Sequence, residues 1–129
     1  MTLPPYAAAF GITLLSGDSP PVLVMPFAND VVGRPGFLHG GAIAGLLETA
    51  AFAALDAALA AGGGGSIEPV SVTVDFMRGG RDKPTFAAGI VTRLGTRIAN
   101  VDATAWQDDR AQPIARARMN YLLVRPVAD

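Results

Sequence analysis

The chain has 129 residues, half of them hydrophobic, 16% charged and 7% aromatic, which is enough for one core and too little for two. Ten Lys and Arg against eleven Asp and Glu leave a net charge of -1, so no overall field draws the protein to nucleic acid or to an anionic membrane surface. The absence of cysteine excludes disulfides, thiolate metal ligands and a cysteine nucleophile.

We expect a single domain over 1–129. The N-terminus, MTLPPYAAAF, lacks the basic region and long apolar run of a secretion signal, which predicts a cytoplasmic protein. Pro4 and Pro5 can start a helical turn, but residues 1 to 11 carry no readable function. Ile12 to Leu15 and Val22 to Phe27 read as two short strands joined as a hairpin through the turn formers Ser16 to Pro20. From Ala28 to Leu38 the residues Asn29, Gly33, Pro35 and Gly36 deny regular structure, and a loop of that length often carries function.

Gly40 to Ala61 is the one long helical pattern, ended by the glycine run 62–65. Glu48 and Asp56 and the Ala-rich composition argue against a membrane span. The helix is apolar on nearly every face, so other elements must enclose it. Four alternating runs follow: Val70 to Met77, Phe86 to Leu94, Ile98 to Trp106 and Ile114 to Val124. In the first, Val70, Val72, Val74 and Phe76 share one face. In the others one face is small or apolar, as in Ala87, Gly89 and Val91, or Ala99, Val101, Ala103 and Ala105. Gly95, Thr96 and Arg97 form a tight turn between two of them. Short side chains let a curved sheet wrap closely round an Ala-rich helix. The expected class is therefore α+β: one long central helix wrapped by a curved antiparallel sheet of five to six strands, the hotdog fold.

Glu48 shares a helix face with Phe52, Leu55 and Leu59, all within about 40° of it. A carboxylate there is placed to act as a base or nucleophile; it can equally reach solvent at the helix edge or pair with an Arg. His39, Gly40 and Gly41 stand immediately before and at the helix start, where unshielded N–H groups and the positive end of the helix dipole make an oxyanion site. The glycines can also simply permit close packing, with His39 as the cap. Gly40 and Glu48 are about 12 Å apart along one helix axis, so a site using both needs two chains with antiparallel helices.

The run Phe37-Leu38-His39-Gly40-Gly41-Ala42-Ile43-Ala44-Gly45-Leu46-Leu47-Glu48 resembles the signature of the PaaI-like hotdog acyl-CoA thioesterases, with His-Gly-Gly at the helix start and an acid nine positions after the His. The resemblance implies that Glu48 is the nucleophile or the base activating water, that the Gly40 N–H polarises the thioester carbonyl, and that His39 positions the thioester. It also implies an acyl-CoA substrate and a homodimer or dimer of dimers. Coenzyme A enters as part of the substrate, and no separate cofactor or metal is expected. Many relatives carry Asp where Glu48 stands. They also have an Asn a few residues ahead of the His, whereas Asn29 is ten ahead and can equally cap a turn with Asp30. Ser71 and Thr73 share a strand face, and Thr73 can supply a hydroxyl to orient Glu48 or water; ordinary alternation explains both as well.

Nine of the ten basic residues are Arg, with Lys83 the remaining one, and the planar guanidinium suits phosphate. Arg78 and Arg81 in the loop ending at Lys83, the turn Gly95 and Arg97, and Gly41 are candidates for holding coenzyme A. Relatives usually show Arg-Pro where this chain has Arg78-Gly79, and solvated hairpin ends are the plain alternative. Trp106 and Tyr121 are read as packing, and Asp56 as solvated or ion-paired. Two other functions fit less of the pattern: a hotdog acyl-thioester dehydratase or hydratase, whose His-Phe-Pro-Gly setting is absent, and a non-catalytic acyl-CoA binding module.

Overall fold

A computed structural model describes residues 3–15 and 20–126. Helix α1 (Pro5–Ala9) starts on a proline at its first position, where the missing N–H costs nothing. Strands β1 (Thr13–Leu15) and β2 (Val22–Met25) pair antiparallel; the expected turn residues 16–19 lie outside the described residues. A 3-10 turn, Asn29–Val31, interrupts the loop before the long helix α2 (Gly40–Ala61). Then come β3 (Ser66–Phe76), β4 (Thr85–Leu94), β5 (Ile98–Trp106) and β6 (Ala115–Val124). All six strands form one antiparallel sheet in the order β1-β2-β4-β5-β6-β3. The sheet wraps α2, giving the expected hotdog arrangement.

Alternation decides which strand faces the helix. Ala87, Ala99, Ala103, Ala105 and Ala115 are all buried with the core residues of α2, while the alternating residues Arg116 and Arg118 point outward. The approach is closest at Gly89: a methyl there would lie 2.8 Å from the Ala50 carbonyl oxygen and 3.0 Å from the Ala51 Cα. Backbone on backbone leaves no flexible side chain to yield. Gly89→Ala is therefore expected to destabilise the fold by about 1–3 kcal/mol, read as a lower denaturation midpoint.

Strand β3 departs from expectation. It begins four residues earlier than the alternation from Val70 suggests, and its pairing with β6 slips between Pro69 and Ser71. Val70 is the extra residue of this bulge. Ile67 and Pro69 lie opposite Leu123 and Tyr121 before it, and Val72, Val74 and Phe76 lie opposite Met119, Ala117 and Ala115 after it, so the helix-facing parity changes at Val70. The strand forms a sheet edge: Ile67 and Val74 pack partly against the core, while Val70 is 68% exposed and Phe76 54%. The expected apolar face is thus covered only in part within one chain.

Helix α2 meets the length and hydropathy of a membrane span. Its buried residues, from Ala42 to Leu59, pack into the core under the sheet.

Candidate active site

His39 is the N-cap of α2. Its Nδ1 accepts the Ala42 N–H at 2.9 Å, satisfying one of the helix's free donors. With Nδ1 accepting, Nε2 is the ring's donor and faces the Asp30 carbonyl oxygen at 3.4 Å. The Phe10 ring meets it edge to face at 6.0 Å. The plain reading of His39 as a cap is thus realised, and it fixes the ring beside the two glycines. Gly40 and Gly41 are exposed, and their N–H groups have no protein partner among the described residues. With the helix dipole behind them, they form an open site for negative charge.

Glu48 is half-buried, two turns further along α2. Among the described residues its carboxylate has no ion pair and no hydrogen bond to protein, so the expected alternative of an Arg partner is not realised. It lines an apolar cavity of about 300 Å³. Phe52 shares the helix face; Ile67 and Pro69 enter from the bulged start of β3 and Met119 and Tyr121 from β6. Pro4 and Tyr6 close the cavity from α1. Burial raises the Tyr121 phenol above its ordinary value, with the Tyr6 and Glu48 charges acting in the same direction. Burial likewise raises Tyr6, opposed by the Thr49 hydroxyl and reinforced by Glu48. Raised in this way, both phenols stay neutral beside the carboxylate.

Two of these residues were not readable as site residues in the sequence. Tyr121 packs, as its place in the alternation predicts, with its hydroxyl donating to the Met119 sulfur at 3.3 Å; it also lines Glu48's cavity. Tyr6 carried no signal, because nothing local tells a short N-terminal helix where to land. The cue available was Gly45: a methyl there would stand 3.0 Å from the Phe10 ring, so this glycine makes room for the segment following α1.

The other candidates separate. Asn29 is exposed in the 3-10 turn, with no side-chain capping bond; the backbone of its neighbour Asp30 is what meets His39. Thr73 lies opposite Arg118 and shares the outer face of the sheet with Asp75 and Arg116. Within one chain its hydroxyl points away from α2 and cannot orient Glu48, because the parity after Val70 turns odd residues outward.

The loop with Arg78 and Arg81 abuts the helix start. The Leu38 N–H donates to the Gly80 carbonyl at 3.0 Å, and Phe37 bridges to Arg81. The Gln107 amide holds this loop, accepting from the Arg81 N–H and donating to the Arg81 carbonyl, both at 3.0 Å. Arg78 bonds Gln112, and Lys83 pairs with Asp108. Arg81 instead stacks its guanidinium on the Phe37 ring at 4.2 Å, and Arg34 stacks on the same ring at 4.1 Å. Neither has a carboxylate partner among the described residues. The Gly79 backbone approaches that ring closely enough that a methyl would be 3.0 Å from it, which accounts for glycine after Arg78. Gly95 and Arg97 sit at the opposite end of β4, about 30 Å of strand away. One ligand on one chain cannot touch both turns, so the two candidate phosphate sites are separate.

Comparison with known proteins places this geometry. No curated protein matches the chain. Among solved structures, a protein from Chromobacterium violaceum is 33% identical with a TM-score of 0.72, covering 93% of this chain and 83% of its own. A phenylacetic acid degradation-related protein from Ralstonia eutropha is 18% identical with a TM-score of 0.79, over 95% of this chain and 92% of that one. A Haemophilus influenzae thioesterase is 16% identical with a TM-score of 0.78, over 95% and 85%. The thioesterase superfamily model matches residues 35–114, a span that runs from the loop before His39 through α2 and three strands, and the chain belongs to that superfamily.

Proposed function

We propose that the protein hydrolyses an acyl-CoA thioester to a carboxylic acid and CoA at sites shared between two copies of the chain. The observation that carries this reading is the Glu48 carboxylate, unpaired among the described residues, in an apolar cavity and on the same helix as the Gly40 N–H, which has no partner among them either. Eight residues separate them by about 12 Å, so a carbonyl polarised by one Gly40 is reached by the Glu48 of another copy. The open β3 edge supports a second copy. Its free strand and the exposed Val72 and Phe76 are a surface that a like chain covers by pairing. The Phe76 ring also lies next to Gly40, which makes that edge continuous with the oxyanion site.

In the water route, the Glu48 carboxylate takes a proton from water as the oxygen attacks the thioester carbon. The oxyanion that forms rests on the Gly40 N–H. Collapse breaks the C–S bond, and the proton on Glu48 passes to the departing sulfur. In the direct route a Glu48 oxygen attacks, CoA leaves as thiolate, and water then opens the anhydride. A single turnover in ¹⁸O water identifies the direct route where label enters the Glu48 carboxylate, which requires water to open the anhydride at the Glu48 carbon and which the water route cannot give. In either route His39, tied by Nδ1 to the helix, positions the oxyanion site.

Arg34 and Arg81 on Phe37 are two guanidiniums without a carboxylate among the described residues, beside the helix start, and they suit the phosphates of CoA. Arg81→Ala is expected to raise KM for acyl-CoA roughly tenfold with kcat little changed, and to leave an acyl-pantetheine thioester unaffected. Equal effects on both substrates assign Arg81 to loop structure. The function itself is tested by free thiol release across a panel of acyl-CoA substrates, and no turnover of any member would reject it.

A further inference from the structure

The wall of the Glu48 cavity is uneven. Met119 and Tyr121, each 2% exposed, form its floor inside the core, whereas Tyr6 is 38% exposed and stands at the rim. Tyr6 also has a fixed seat. Pro4 and Pro5 stiffen the entry to α1, and the Phe10 ring that ends it lodges over Gly45 and against His39. The Tyr6 ring itself comes within 3.9 Å of where a Gly45 methyl would be. A short helix held at both ends thus sets one ring across the mouth of the cavity.

The contents of the cavity follow from its size and lining. At about 30 Å³ per non-hydrogen atom, the share of a water molecule in the liquid, 300 Å³ holds on the order of ten such atoms. Apart from Glu48 the lining is apolar, with two phenols. The Tyr121 hydroxyl is already donated to Met119, so within the floor of the cavity a polar acyl group would lose water and gain little in exchange; the Tyr6 hydroxyl at the rim is the one donor left for it among the described residues. An acyl chain placed at the Glu48 carboxylate lies against apolar side chains and meets the Tyr6 ring at the rim.

We propose that Tyr6 is the specificity-determining residue of this site, and that it limits the substrate to an apolar acyl group of on the order of ten non-hydrogen atoms. The proposal rests on the reading of Glu48 as the reacting carboxylate. Each methylene that finds a place inside the cavity gains roughly fourfold in kcat/KM, and one that does not fit gains nothing. The profile against chain length therefore has a break where the acyl end reaches Tyr6.

The test is kcat/KM over straight-chain acyl-CoA substrates from acetyl to palmitoyl, for the wild type, Tyr6→Ala and Tyr6→Trp. The break is expected to move to longer chains in Tyr6→Ala and to shorter chains in Tyr6→Trp. Opposite shifts cannot come from loss of folding, which lowers every substrate alike. An unmoved break, or a uniform loss across the series in both variants, overturns the proposal. Dissociation constants of the matching non-hydrolysable thioethers, measured with and without Glu48→Gln, keep the two readings apart. Turnover retained in Glu48→Gln with a length-dependent affinity that still tracks residue 6 removes Glu48 from the chemistry and keeps Tyr6. Turnover lost in Glu48→Gln with an affinity profile indifferent to residue 6 does the reverse.

Discussion

Glu48→Gln is expected to lower thiol release by roughly 10²–10⁴-fold while the protein stays as stable as the wild type or becomes more so. The amide matches the carboxylate in shape but neither takes a proton from water nor attacks a carbonyl. The stability expectation follows from the surroundings: Glu48 has no ion pair or hydrogen bond to lose among the described residues, so an amide of the same shape keeps the packing it makes. Thermal unfolding and the thiol assay on one preparation check both halves. Turnover near the wild-type rate would remove Glu48 from the mechanism, and a large drop in melting temperature would show that it has a structural partner.

Mixing two inactive variants is expected to restore activity. Gly40→Val covers the helix-start N–H; its Cβ starts 3.4 Å from the Phe76 ring, and a circular dichroism spectrum and melting temperature like the wild type's establish that the variant is folded before it is mixed. A Gly40→Val homodimer has two sites without an oxyanion donor, and a Glu48→Gln homodimer has two without a carboxylate. A mixed dimer has one site with both defects and one with neither. Random pairing after joint refolding makes about half of the dimers mixed, so roughly a quarter of wild-type activity returns. Mass spectrometry establishes that mixed dimers are present; if they are present and the mixture stays inactive, Gly40 and Glu48 do not act across two chains.

What could be read from the residues and what could not divides along physical lines. The central helix and the strands around it were legible because Ala87 and Gly89, and Ala99 to Ala105, alternate with larger or polar residues at the period of a strand, while Gly40 to Ala61 has no polar face. The start of β3 was not legible: Pro69 argues locally against a strand, and only pairing with β6 supports it there. Once the bulge at Val70 is known, the outward turn of Thr73 follows from counting by twos. The separation of Arg81 from Arg97 was implicit in the length of the strand between them. The acyl cavity is different in kind. Pro4, Glu48, Ile67 and Met119 lie far apart in the chain and meet only because β3 and β6 are neighbours and α1 lands on Gly45, so no window of sequence contains the information.

The contact between helix and sheet is made largely of alanine and glycine, as at Ala50, Ala51, Ala54, Ala87 and Gly89. Such side chains have no rotamers, so burying them costs no side-chain entropy. The same property removes the usual way of absorbing an error. A Leu-rich core can turn a χ angle to take an extra methyl group; here only main-chain movement relieves the strain, and the mobile body is α2 as a whole. Because α2 carries both the Gly40 N–H and Glu48, a misfit deep under the sheet is converted into a displacement of the reacting groups. Substitutions in this layer that leave the protein folded should therefore be felt as mispositioning at the site, where about 1 Å of error costs on the order of 10²-fold in rate.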